Sequence, residues 1–183
     1  MIFQLNNRIC VVVALIFMCS SCSDIERDTQ KEQVNALNTE IDQIDREFKE
    51  IQIDTISALE SSTYQVESRI KKNYHSDTVD IVLGKKMDDY KRMRRMLGQL
   101  GKSGAQLKLS INEEKEQLVK LLSDIEQGFG KRELYNDYIQ FEKHKVKQIG
   151  ILLEDYKRGR HEVLVIYDKL HDELMNYSMS LNN

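Results

Sequence analysis

Proline and tryptophan are absent from this chain, and its three cysteines all fall within the first 22 residues. Proline is the strongest interrupter of a helix interior, so its absence leaves long helices free to run. With Cys10, Cys19 and Cys22 so placed, residues 23–183 contain no thiol. That part cannot be stapled by a disulfide and must hold itself together by packing. The formal net charge of −3 gives no general pull toward nucleic acid, so no nucleic-acid partner is expected. Four histidines and no cysteine beyond position 22 leave few nitrogen or sulfur ligands for a zinc site. His144, His161 and His171 stand 17 and 10 residues apart, on different faces of a helix, so no metal and no cofactor is expected.

What is present begins with MIFQLNNRICVVVALIFMCSSC. Arg8 is the only charge before Asp24, and an apolar run from Ile9 to Met18 follows it. Ten residues are too few to cross a bilayer as a helix, which takes about 20. A basic residue, a short apolar run and small residues before a cysteine have the layout of a secretory signal. The C-x-x-C of Cys19 and Cys22 lacks the strand-rich setting of a redox pair. The segment resembles the signal peptide of bacterial lipoprotein precursors. In that family the cysteine after the small residues carries a thioether-linked diacylglycerol and becomes the mature N-terminus.

The resemblance covers the first 25 residues or so and selects Cys22, which Ser20 and Ser21 precede. Cys19 is the rival acceptor, but bulky Met18 stands just before it. The pattern departs from the family at the third position before the acceptor, where Cys19 replaces the usual leucine. The resemblance implies a bacterial cell-envelope location, anchored to membrane through the N-terminal lipid. Ser23 after the acceptor implies transfer to the outer membrane. The expected division is a signal peptide over 1–21, a lipid anchor and short tether over 22–33, and a helical domain over 34–183.

Beyond the tether, apolar residues recur every three or four positions, the seam of a helix packed on others. The first run holds Val34, Leu37, Ile41, Ile44, Phe48 and Ile51. It slips by one position and resumes at Ile56, Leu59, Val66 and Ile70, which reads as a local change of supercoil. A polar break at residues 73–78 follows, with Ser76 and Asp77 as candidate N-caps. The second run spans Val79 to Ile125 through Leu83, Tyr90, Met93, Leu97, Leu100, Leu107, Ile111, Leu118 and Leu121. Gly128-Phe129-Gly130 is the second break, glycine being the favoured helix stop. The third run spans Tyr135 to Leu181.

Three runs of similar length with short connections predict an all-α fold: an elongated antiparallel three-helix bundle or coiled coil, each helix roughly 70 Å long. A turn near 101–104 would instead give four shorter helices. The same narrow seam also suits pairing between chains, so a homo-oligomer is compatible with it.

The Gly101-Lys102-Ser103 triplet matches the end of a phosphate-binding loop, but Met96 stands where that loop needs its first glycine. The seam also runs straight through it. Adjacent carboxylates such as Asp88-Asp89 and Glu113-Glu114 do not face one another on a helix, so they form no acid–base pair. Residues 81–110 carry eight Lys/Arg against two Asp/Glu, whereas residues 24–80 carry seven against fourteen. Charge pairing between neighbouring helices accounts for part of this asymmetry. Lys85, Lys86, Lys91, Arg92, Arg94 and Arg95 are also the candidate surface for an anionic partner: lipid phosphates, an acidic cell-wall glycan or an acidic envelope protein. The expectation is a lipid-anchored helical envelope protein with a structural or interaction role and no catalysis. The alternative is an envelope chaperone or inhibitor holding a client in a groove between helices.

Overall fold

The computed structural model describes the backbone of residues 2–51 and 56–181, and side chains from residue 25 onward within that range. Four helices follow in order: α1 (Ile2–Ile51), α2 (Ile56–Asn73), α3 (Ile81–Gln127) and α4 (Tyr135–Ser180), with a single 3-10 turn, Arg132–Leu134, before α4. No strand occurs among the described residues. The protein is an all-α helical bundle. Cys22 falls among the residues whose side chains lie outside the described set, and the phase slip lies at residues 52–55, outside it altogether.

The chain forms two compact units. Unit 1 comprises Met1–Gln43 and Asn112–Gln148. Its buried apolar positions include Val34, Leu37 and Ile41 from α1, Leu118, Leu121 and Ile125 from α3, and Tyr135, Ile139 and Val146 from α4. Lys115 pairs with Asp42 at 2.7 Å, and the Gln30 amide donates to Asn136 Oδ1 at 3.0 Å. Gln30 is buried, so packing starts four residues before Val34, inside the segment expected as a tether.

Unit 2 comprises Ile44–Ile111 and Ile149–Asn183. Its core joins Val66 and Ile70 of α2 to Tyr90, Met93 and Leu97 of α3 and to Val163, Leu170 and Leu174 of α4. Cross-helix pairs fix the directions. Glu67 meets Arg94 while Ile56, earlier in α2, lies against Gly101, later in α3; Tyr90 meets His171 while Lys86, earlier in α3, meets Glu173, later in α4, so α3 runs antiparallel to both α2 and α4. Phe48 and Tyr156 meet edge to face with ring centroids 5.3 Å apart. This is the up-down-up order that the three runs predict.

The exit from α3 is a glycine-dependent stop. Gly128 has φ +69, a backbone conformation that costs a residue with a Cβ about 1–2 kcal/mol. It lets the Phe129 amide reach back to the Asp124 carbonyl at 2.9 Å. The Tyr135 hydroxyl lies 2.9 Å from that same carbonyl and 2.5 Å from the Phe129 carbonyl, tying the start of α4 to the end of α3.

One alternative falls and two expectations need correction. First, the alternative turn near 101–104 does not exist: α3 is continuous through it, as the unbroken seam predicts. Gly104 sits there because a Cβ would come 3.0 Å from the Tyr156 ring, so glycine makes room for an aromatic from α4. Second, neither Ser76 nor Asp77 caps α3. Ser76 accepts from the Thr78 amide within the loop, whereas Asp80 Oδ1 accepts from the Leu83 amide at 2.9 Å and is the true N-cap. Third, Val79 is not in the seam. It precedes the helix and is 89% exposed.

Leu107 is 1% exposed in the middle of α3. Replacing it with aspartate buries a carboxylate with no designed partner. Leu107→Asp should lower stability by about 3–5 kcal/mol, read as a drop in the midpoint of chemical or thermal unfolding followed by circular dichroism.

Candidate functional site

The six basic residues between 85 and 95 separate by helical phase. Lys86 and Arg94 turn toward neighbouring helices. Lys86 forms an ion pair with Glu173 of α4. Arg94 donates from Nε to Glu67 Oε2 of α2 at 2.9 Å and lies 5.5 Å from the Tyr64 ring centroid. Arg92 pairs along its own helix with Asp89 at 3.1 Å, an exposed contact that holds it weakly. Lys85, Lys91 and Arg95 have no ion-pair partner among the described residues, and Lys85 and Arg95 are exposed. The basic stretch is therefore partly internal wiring and partly an outward surface.

Glu67 is the internal end of that wiring. It is 3% exposed and receives Lys71 at 2.5 Å as well as Arg94. Burial by itself pushes its carboxyl upward. The hydrogen bonds from Lys71 and Arg94 outweigh that, and the group sits below the ordinary carboxylate range.

Two buried polar groups were hidden from the apolar pattern. His171 lies within the unit 2 core, stacked on Tyr167 with ring centroids 4.2 Å apart and with Nδ1 2.5 Å from the Tyr90 hydroxyl. Burial pushes the imidazole down and the Tyr90 phenol up. That suits a neutral ring accepting from a protonated tyrosine. In unit 1, Glu114 is 1% exposed, with Lys145 Nζ 2.6 Å from Oε2 but off the hydrogen-bond direction. Lys145 also holds Glu142 at 2.7 Å. Burial and the neighbouring Glu142 raise the Glu114 carboxyl, and Lys145 offsets this only in part.

Glu114 and Glu142 around Lys145 put two carboxylates beside one lysine, one of them buried. Glu114 is sealed in the helix interface, so a substrate would reach it only if the helices parted. Among the described residues no group of three or more His, Cys, Asp or Glu is placed to hold a metal ion.

Unit 2 also has a cleft of about 580 Å³. Phe48, Ile56 and Tyr156 give it apolar walls, and Gly98, Gly101 and Gly104 leave space along α3. Lys102 and Lys108 stand at its edge. No helix among the described residues is long and apolar enough to cross a membrane. No family model, no curated protein and no solved structure matches this chain.

Arg94→Ala leaves Glu67 with one partner in a buried site and should cost about 2 kcal/mol at neutral pH. Glu67's folded pKa lies below its unfolded value, so its stabilising contribution is present above the unfolded value and lost as pH falls through the folded one. The gap between wild type and Arg94→Ala in urea melts should therefore close as the medium is acidified below the ordinary carboxylate range. A gap unchanged across that range would show that Arg94 acts by packing alone.

Proposed function

We propose that this is a lipid-anchored helical protein of a bacterial cell envelope. It acts by binding, with no catalysis, and presents the outward basic face of α3 to an anionic partner. The observation that carries the reading is the row of cations on that face, with Lys85, Lys91 and Arg95 free of internal ion pairs among the described residues. Cations already satisfied inside the fold, such as Arg94, have little left to offer a partner. The anchor is supported by the N-terminal sequence, in which the apolar run and Ser20-Ser21 lead to Cys22. Ser23 favours an outer-membrane destination. His171 and Glu114 are both buried by packing, which favours structural over catalytic roles for them.

A second reading, a chaperone or inhibitor that holds a client in a groove, is favoured by the cleft lined by Phe48, Ile56 and Tyr156. Binding of a hydrophobic dye to the native protein, competed by a client peptide, would favour this reading.

The anchor is tested by mass spectrometry of the protein from bacterial membranes. Diacylglyceryl modification should appear on Cys22 and vanish in Cys22→Ala, with the precursor accumulating. Modification of Cys19 instead would move the anchor, and no modification would remove it. The binding face is tested by crosslinking in intact cells. A specific partner should be lost when Arg92 and Arg95 are both changed to glutamate, while the thermal melt stays within a few degrees of wild type. A crosslinking pattern unchanged by the reversal would overturn the basic face as the binding surface.

A further inference from the structure

The basic face of α3 begins beside a loop that is polar over residues 73–78, but apolar side chains flank the capping residue Asp80. At its start stand Val79, Ile81 and Val82, which are 89%, 67% and 64% exposed. Three neighbouring β-branched residues held in water are a cost that single scattered apolar side chains do not explain. They occupy the end of unit 2 where α2 finishes, α3 begins and α4 finishes. Met179, at the close of α4, adds a fourth exposed apolar group at 54%.

From this end the cations continue along α3. Lys85 follows Ile81 by four residues. Arg92, Arg95 and Lys102 recur at intervals of seven, three and seven, which keeps them on the outer side of the helix. From Lys85 to Lys102 the row extends about 26 Å at 1.5 Å per residue. Asp88 and Asp89 are its only acidic neighbours on α3, and Asp89 is engaged by Arg92.

We propose that this end of unit 2 docks on an anionic lipid surface. The apolar tip enters the headgroup–acyl boundary and the row of cations lies on lipid phosphates. The inference rests on the basic-face reading above and names its partner. An acidic glycan or acidic protein would use the cations but leave the valines and isoleucine in water. A bilayer with anionic headgroups uses both, because interfacial binding adds apolar burial to electrostatic attraction. Charge complementarity selects anionic over neutral lipid. The asymmetry is local to this face, since the chain as a whole is acidic.

The experiment uses the full chain, extracted from bacterial membranes and reconstituted into phosphatidylcholine vesicles. Fluorescent acceptor vesicles are added, made of phosphatidylcholine alone or doped with phosphatidylglycerol, and their capture is read by co-flotation. Wild-type protein should capture the doped vesicles at least tenfold better than the neutral ones, and added salt should weaken capture. Val79→Ser with Ile81→Ser should reduce capture severalfold, and Arg92→Glu with Arg95→Glu should abolish it. All of these positions are solvent-facing, and unchanged circular dichroism melts confirm that each variant folds.

Equal capture of both vesicle types would overturn the proposal, as would full capture by either variant. Capture lost on charge reversal but untouched by the serine pair would show a purely electrostatic contact, and the insertion of the apolar tip on which the lipid assignment rests would fall. Absence of capture by wild type, with the cellular crosslink still sensitive to Arg92 and Arg95, would overturn lipid docking while leaving the binding face intact. Absence of both would overturn the two together.

Discussion

The fold depends on one-sided burial. An isolated 18-residue helix such as α2 is marginal in water, and nothing in its composition makes it an exception. It persists because Val66 and Ile70 are sealed against Tyr90, Met93, Leu97 and the apolar face of α4. Each side chain of that size contributes about 1.5–3 kcal/mol when removed from water, offset by the entropy of ordering it. With no disulfide available after Cys22, no cross-link can make up for a lost seam contact. Every polar group placed in the seam must therefore bring its own partner. Glu67 brings Lys71 and Arg94, and His171 brings Tyr90 and Tyr167.

Apolar spacing made most of this seam legible. Val34, Leu37, Ile41, Phe48, Val66, Tyr90, Leu97, Leu107, Leu118, Ile139, Leu153 and Leu170 all fall on the 3-4 rhythm and are all buried. The rhythm failed at an end, and at a glycine it held without giving the reason. Val79 keeps the phase, but phase says nothing of how far the partner helices reach. Ser76, Asp77 and Asp80 are all good capping residues by type, and only the backbone shows that α3 starts after the last of them. Gly104 lies at a seam position because Tyr156 needs the volume, which spacing along one helix cannot reveal.

The candidate sites were less legible because they are set by cross-helix geometry. Glu114 stands three residues after Ile111 and four before Leu118, a seam position, so its place in the rhythm was the signal. An apolar pattern passes over it. Likewise the basic stretch reads as one block in the sequence. Rotation of 100° per residue divides it between the interface and solvent, and the division is decided by where Glu67 and Glu173 lie on other helices.

That division has a thermodynamic consequence. Lys86 and Arg94 engage carboxylates across helix interfaces, and Glu67 is the more deeply buried of the two acceptors. Changing Arg94 leaves that acceptor poorly paired, so stability and any binding role would change together. Lys85, Arg92, Arg95 and Lys102 face solvent, where an ion pair contributes about 0–1 kcal/mol at most. The fold is therefore nearly indifferent to their charge, while the potential at that surface depends on it directly. α3 thus carries folding contacts on one side and solvent-facing charge on the other. The two are separable by mutation because a helix keeps its faces apart.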